Sequence, residues 1–236
     1  MVQIDIKGDV VSDDLGMFYS WFGMTAAYPA AVSESLASIA DGEEIIVNVA
    51  SNGGDVFAAS EIYTMLRSHP SNVTVNIQGL AASAASVIAM SGNQVKISPT
   101  AQIMIHQASI ATYGNHDELA QQVNVLKGID QSIANAYSNK TGLDEGALLN
   151  LMAKETWLTA QDAVNQGFAD EIMFVDEKTP QITNATAPIV TKSAVNKLLN
   201  LVAKSENKVQ KSAENTQDSR PEASLRSQKA AILLGK

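Results

Sequence analysis

The chain has 236 residues, enough for one sizeable core or a core plus a tail, and 45% of it is apolar. It has no cysteine, which excludes a disulfide framework and a thiol nucleophile, and its formal net charge of −9 disfavours non-specific binding to nucleic acid. No apolar run approaches the roughly 18 residues that a membrane helix needs, and the alternating start MVQIDIKGDV lacks the basic-then-apolar order of a signal peptide, so a cytoplasmic protein without membrane contact is expected.

Residues 2–6 read as a first strand. Residues 28–40 carry apolar side chains at helical spacing, with Pro29 near the start. EIIVNVA, at 44–50, is a short run rich in β-branched residues, as a buried strand should be, and SNGGD then turns the chain. A helix is predicted over 56–66, a strand over 72–79, and a helix over 79–90, where GLAASAASVIAM is almost wholly small or apolar. This β-α-β-α alternation implies a mostly parallel sheet with helices packed against it.

Residues 94–97 and 102–106 read as two more short strands joined by a turn at 98–100. Residues 116–140 form a long polar helix whose narrow apolar stripe is Leu119, Val123, Leu126, Ile129 and Ile133. Its own domain buries such a helix poorly, so it is expected to project and to pack on another subunit. A shorter helix covers 145–153. In TAQDAVNQG, Thr159 is the expected N-cap, Asp162 its partner at the third position, and Gly167 the stop. A strand over 171–175 closes the domain.

The first domain is therefore drawn at 1–176 and a tail at 177–236. The first part holds 6 Lys/Arg against 20 Asp/Glu and the tail 10 against 5, or −14 and +5. The tail is rich in Ser, Asn, Gln, Thr and Lys and has no aromatic residue, so much of it is expected to be disordered. Residues 193–209 place Ala194, Leu198, Leu201 and Val202 on one face, a basic amphipathic helix. Such a tail is either a solvated extension or a docking element for an assembly partner.

Two serines interrupt the small apolar stretch. Ser83 falls just after a strand and at the head of a helix, where a side chain is exposed and unpaired N–H groups lie close by. Taken alone, the small neighbours favour a helix packing site over a sharply turned nucleophile, and G-x-S-x-G itself is absent. A serine nucleophile needs a base. Of three histidines, His106 ends the apolar strand IMIHQ, at the end of the sheet where ligands of open α/β folds bind; His69 precedes a proline and His116 begins an exposed helix. Gly53 and Gly54 also follow a strand, and a backbone N–H there can join that of Ala84 to hold an oxyanion.

SNGGDVFAASEIYTML, GLAASAASVIAMSG, IMIHQA and ETWLTAQDAVNQGFADEI stand in the order and approximate spacing of the ClpP family of serine peptidases, which the chain resembles over roughly residues 4–175. The form GGDVFAA…GLAASAAS is most similar to the ClpP-related head maturation proteases of tailed phages and prophages. The resemblance implies a ClpP/crotonase-like α/β fold, the 116–140 helix as an intersubunit handle, and a homo-oligomeric ring, heptameric or stacked. It implies Ser83 as nucleophile, His106 as general base, and the N–H groups of Gly54 and Ala84 as oxyanion hole, with no metal or cofactor; Ser86, one helical turn on, is packed. The third triad member matches Glu155, a glutamate where the family usually has aspartate, with Asp170 as the other candidate. The implied activity is ATP-independent endoproteolysis of capsid or scaffold protein. Housekeeping ClpP engages an ATPase through a segment before the first strand, and since residues 2–6 already read as that strand, ATPase-driven unfolding is not expected. Alternatives are a housekeeping-type ClpP with an ATPase partner, or a catalytically weak scaffold on the same fold. The Ser83/His106 pair argues against a crotonase-type acyl-CoA enzyme, and no core lysine has a claim to a Ser-Lys dyad.

Overall fold

The computed structural model describes residues 2–40 and 42–175. The expected tail and its 193–209 helix lie outside the described residues. The elements run β1 (Val2–Val10), α1 (Asp13–Trp21), β2 (Ala26–Ala27), α2 (Pro29–Ala37), β3 (Ile45–Gly54), α3 (Val56–Ser68), β4 (Val73–Ala82), α4 (Ala84–Ala89), β5 (Gln94–Ile97), β6 (Gln102–Ile105), α5 (His116–Thr141), α6 (Glu145–Ala153), β7 (Thr156–Thr159), α7 (Ala160–Asn165) and β8 (Glu171–Ile172).

The sheet runs β2-β1-β3-β4-β5-β8, with every neighbour parallel. β4 is the fork on which the site depends. Its first half pairs with β5 (Ile77 opposite Ile97), while its last residues leave β5 and pair with β6 (Ala82 opposite Met104). β6 in turn pairs antiparallel with β7, from Gln102 opposite Thr159 to Ile105 opposite Thr156. Strands alternate in the expected way: Ile4 and Ile6 of β1 are buried and Gln3 and Asp5 exposed. The apolar set, with Ile45, Val47, Val49, Val75, Ile77, Val95 and Ile97, joins Ile62, Leu66 and Ile88 of the helices in one core. The opposite face carries a polar row: Asn48 donates to Asp5 at 3.0 Å, and Gln78 donates to Asn48 at 3.1 Å. The hydrogen bond from Asn48 holds the Asp5 carboxyl below its ordinary pKa, against a smaller opposing effect of burial.

The architecture is the mostly parallel α/β sheet with surrounding helices expected from the sequence, with differences that have physical causes. Helix α1 and strand β2 are not foreseen. The large apolar residues in and just after α1, including Leu15, Phe18, Trp21 and Phe22, are exposed, and its one buried residue is Gly16, so no core-facing stripe announces it. β3 continues through SNGG, because Asp9 and Val10 pair with Gly53 and Gly54. The helix predicted over 79–90 begins only at Ala84; pairing with β6 holds residues 80–82 extended, and tertiary pairing outweighs the helix preference of alanine. The last strand stops at Ile172 rather than at 175. α7 begins as expected, with a capping box between Thr159 and Asp162, and Gly167 follows it at φ +83°. α5 carries a capping box at Asn115; residues 116–121 are exposed, and burial is confined to its second half, at Asp130, Ile133, Ala134, Ala136 and Tyr137.

Candidate active site

Where β4 hands over to α4, Ser83 has φ 53° and ψ −124°, a region that a residue with a side chain enters only at a cost. Local bonds hold it there. Its N–H donates to the carbonyl of Met104 at 2.8 Å, extending the β4–β6 ladder by one residue. Its own carbonyl accepts from the N–H of Ser86 at 2.9 Å and from the Ser86 hydroxyl at 2.6 Å. The elbow is thus anchored to the strand that ends just before His106. The result is a direct contact: His106 Nε2 lies 2.7 Å from Ser83 Oγ. Both residues are half-buried, reachable from solvent yet partly withdrawn from it. With the imidazole neutral and its proton on Nδ1, Nε2 accepts from the serine hydroxyl.

Gly53 and Gly54 close the other side. They sit at φ +92° and +147°, and a Cβ on Gly53 would stand 2.9 Å from Ala84 N and 2.9 Å from Ser83 Cβ. The glycine turn therefore packs flush against the serine elbow, which no other residue type permits. Ala84 is the first residue of α4, so its N–H has no acceptor within the helix. Asp55, next in the chain, caps α3 by accepting from Phe57 and Ala58 and donates its own N–H to Val10 O at 2.8 Å, fixing the turn's far end.

The structure does not join Glu155 to His106. The β6–β7 pairing ends at Ile105 opposite Thr156, so His106 and Glu155 are the residues that flank the last pair. Glu155 has φ 49°, and its exposed carboxylate accepts from Trp157 Nε1 at 3.3 Å instead. Asp170 is committed elsewhere: it accepts from Val95 N at 2.7 Å and pairs with Lys140 at 2.6 Å. Ser86 is fully buried and packed as expected, with its hydroxyl also 2.8 Å from Tyr137 Oη.

Sequence reasoning missed two residues beside this site. Tyr137 is 1% exposed and reaches Ser86; Asp130 is 6% exposed and accepts from the N–H of Ala108 at 2.8 Å. The signal was present. Tyr137 prolongs the α5 stripe by four residues beyond Ile133, and Asp130 stands three before Ile133 and four after Leu126, a charge on an apolar face. Burial raises the Tyr137 pKa well above its ordinary value, against a smaller opposing pull from Ser86, so it stays a neutral donor. Among the described residues, no His, Cys, Asp or Glu side chains gather in threes as a metal's ligands do, and no helix is long and apolar enough to cross a membrane.

Comparison with known proteins follows the same outline. The model of the Clp protease family matches residues 30–176. The ATP-dependent Clp protease proteolytic subunit of Deinococcus radiodurans is 29% identical over 133 residues, covering 56% of this chain and 65% of that protein. That of Bacteroides fragilis is 27% identical over 140 residues, covering 58% and 68%. The chain thus spans about two thirds of the length of these relatives. Among solved structures, the ClpP1 N165D mutant from Listeria monocytogenes superposes with a TM-score of 0.60 at 22% identity, over 72% of this chain and 90% of the other, a likeness of fold.

Proposed function

The chain belongs to the Clp protease family, and on that premise we propose that it is a serine endopeptidase whose nucleophile is Ser83 and whose base is His106. The observation that carries the reading is the 2.7 Å contact between Ser83 Oγ and His106 Nε2 at a backbone elbow held in a costly conformation. In this reading the hydroxyl proton passes to Nε2 as Oγ bonds to the substrate carbonyl carbon. The carbonyl oxygen becomes an oxyanion received by the N–H groups of Gly54 and Ala84. Collapse breaks the C–N bond, His106 returns the proton to the leaving amine, and an ester on Ser83 remains. Water, deprotonated by the same histidine, then frees the acid. Glu155, beside His106 at the end of the β6–β7 ladder, becomes the orienting acid by turning from Trp157 to His106 Nδ1.

The narrower role we propose is ATP-independent head maturation in a tailed phage or prophage, acting on capsid or scaffold protein, with the chain assembled into a ring through α5. Its support is the form GGDVFAA…GLAASAAS. The names of the curated relatives favour a second reading, a proteolytic subunit that works with an ATPase. Peptide and folded-protein cleavage by the purified full chain, with and without a Clp ATPase and ATP, separates the two. ATP-independent cleavage of a capsid protein supports the first, and cleavage of folded protein only with the ATPase supports the second. Loss of all cleavage in Ser83→Ala supports the chemistry common to both.

A further inference from the structure

Helix α5 bonds to a near neighbour in sequence of each member of the reacting pair, to Ser86 and to Ala108. One tie runs through Ser86. Its hydroxyl donates to the carbonyl of Ser83 at 2.6 Å, so its proton is committed there, and in the 2.8 Å contact with Tyr137 the tyrosine is the donor. Tyr137 thereby completes the set of bonds that keeps the nucleophile elbow at φ 53°. The other tie runs to the histidine. β6 ends at Ile105, and the chain from His106 to the start of α5 at His116 is irregular. Nothing in the sheet ladder fixes His106. Two residues beyond it, the N–H of Ala108 donates to Asp130 Oδ1 at 2.8 Å. Asp130 is a nearly buried carboxylate, costly to keep there unless its bond matters.

We infer that Asp130 and Tyr137 are positioning residues that set the Ser83–His106 distance from one rigid helix, an inference that rests on the serine peptidase reading above. They lie seven residues apart, two turns, on the same side of α5. Tyr137 holds the elbow and Asp130 holds the segment that carries the base. Neither touches a reacting atom. Removing either leaves a folded chain in which the hydroxyl and the imidazole meet less often.

The test uses the full chain and a fluorophosphonate probe, with adducts located by mass spectrometry. Three quantities are read: the second-order labelling rate, the fraction finally labelled and the pH profile of the rate. Asp130→Ala and Tyr137→Phe are expected to label more slowly, on the order of 10- to 100-fold, to reach the wild-type final fraction, and to show an altered pH profile. Asp130→Asn keeps an oxygen acceptor for Ala108 and is expected to recover most of the rate lost in Asp130→Ala. A purely structural role would lower the labelled fraction and the melting temperature while leaving the rate and pH profile of the folded fraction unchanged. Should Asp130→Ala fail to fold, the nearly isosteric Tyr137→Phe decides. A wild-type rate in Tyr137→Phe, or in a folded Asp130→Ala, overturns the inference while Ser83 labelling of the wild type upholds the peptidase reading. No labelling of Ser83 in the wild type overturns both.

Discussion

Gly53 leaves no room for a side chain beside Ser83: a Cβ there would lie 2.9 Å from Ser83 Cβ and 2.5 Å from the carbonyl oxygen of Ala82. The second neighbour is backbone and cannot swing aside. With φ at +92°, Gly53→Ala also meets a backbone penalty of about 1–3 kcal/mol. The substitution is expected to lower the melting temperature and to displace the serine elbow, so that peptide hydrolysis falls by more than the loss of folded protein explains. Thermal denaturation and turnover measured on one preparation check this. Wild-type values for both would mean that the glycine turn does not abut the elbow.

The two serines of the small apolar stretch separate by their environments. Ser86→Ala leaves the Tyr137 hydroxyl buried without its partner, at a cost of about 1–3 kcal/mol. The variant is expected to be less stable in urea and slower, with any fluorophosphonate adduct still on Ser83.

The two candidate acids separate in the same way. Glu155→Gln is expected to lower turnover, by up to about 10⁴, with little change in KM, because Glu155 lies beside His106 at the end of the β6–β7 ladder. Asp170→Asn breaks the pair with Lys140, whose side chain is 10% exposed. Its effect is expected on stability, at about 1–3 kcal/mol, since Asp170 itself remains 43% exposed and screened. Steady-state kinetics and chemical denaturation of both variants distinguish these outcomes; an inert Glu155→Gln beside an inactive Asp170→Asn would move the acid to Asp170.

Tyr137 ties stability to alkaline pH. Burial raises its folded pKa, whereas in the unfolded chain it ionises near the ordinary tyrosine value of 10.0. Below that value the stabilisation is fully present. It is lost as pH rises from about 10 towards the folded pKa, because only the unfolded state then releases the proton readily. Denaturation midpoints measured between pH 8 and about 11 are expected to fall more steeply for the wild type than for Tyr137→Phe. Parallel slopes would mean that Tyr137 is not buried neutral.

The sequence disclosed what local pattern controls. An alternating pattern marked β1 and β-branched runs marked β3 and β4, while the roles of Ser83 and His106 came from the motif resemblance, with their placement at strand ends in support. The capping boxes at Asn115 and Thr159 follow from short-range chemistry, and the one at Thr159 was read directly. What depended on distant contact was hidden. β4 runs on through Ala82 only because β6 is there to pair with it, and Tyr137 meets Ser86 across 51 positions of chain. Helix α1 escaped notice because its large apolar residues face outward. Glu155 was legible as a position but not as a contact, since it and His106 only flank the last β6–β7 pair while its carboxylate rests on Trp157.

The most direct measurement is covalent. The full chain is treated with a fluorophosphonate, digested and mapped by mass spectrometry, alongside Ser83→Ala and His106→Ala. One adduct on Ser83 is expected, absent in Ser83→Ala and formed far more slowly in His106→Ala, with peptide turnover in Ser83→Ala lower by on the order of 10⁶. An adduct on another serine, or turnover that survives in Ser83→Ala, would contradict the assignment of Ser83 as the nucleophile.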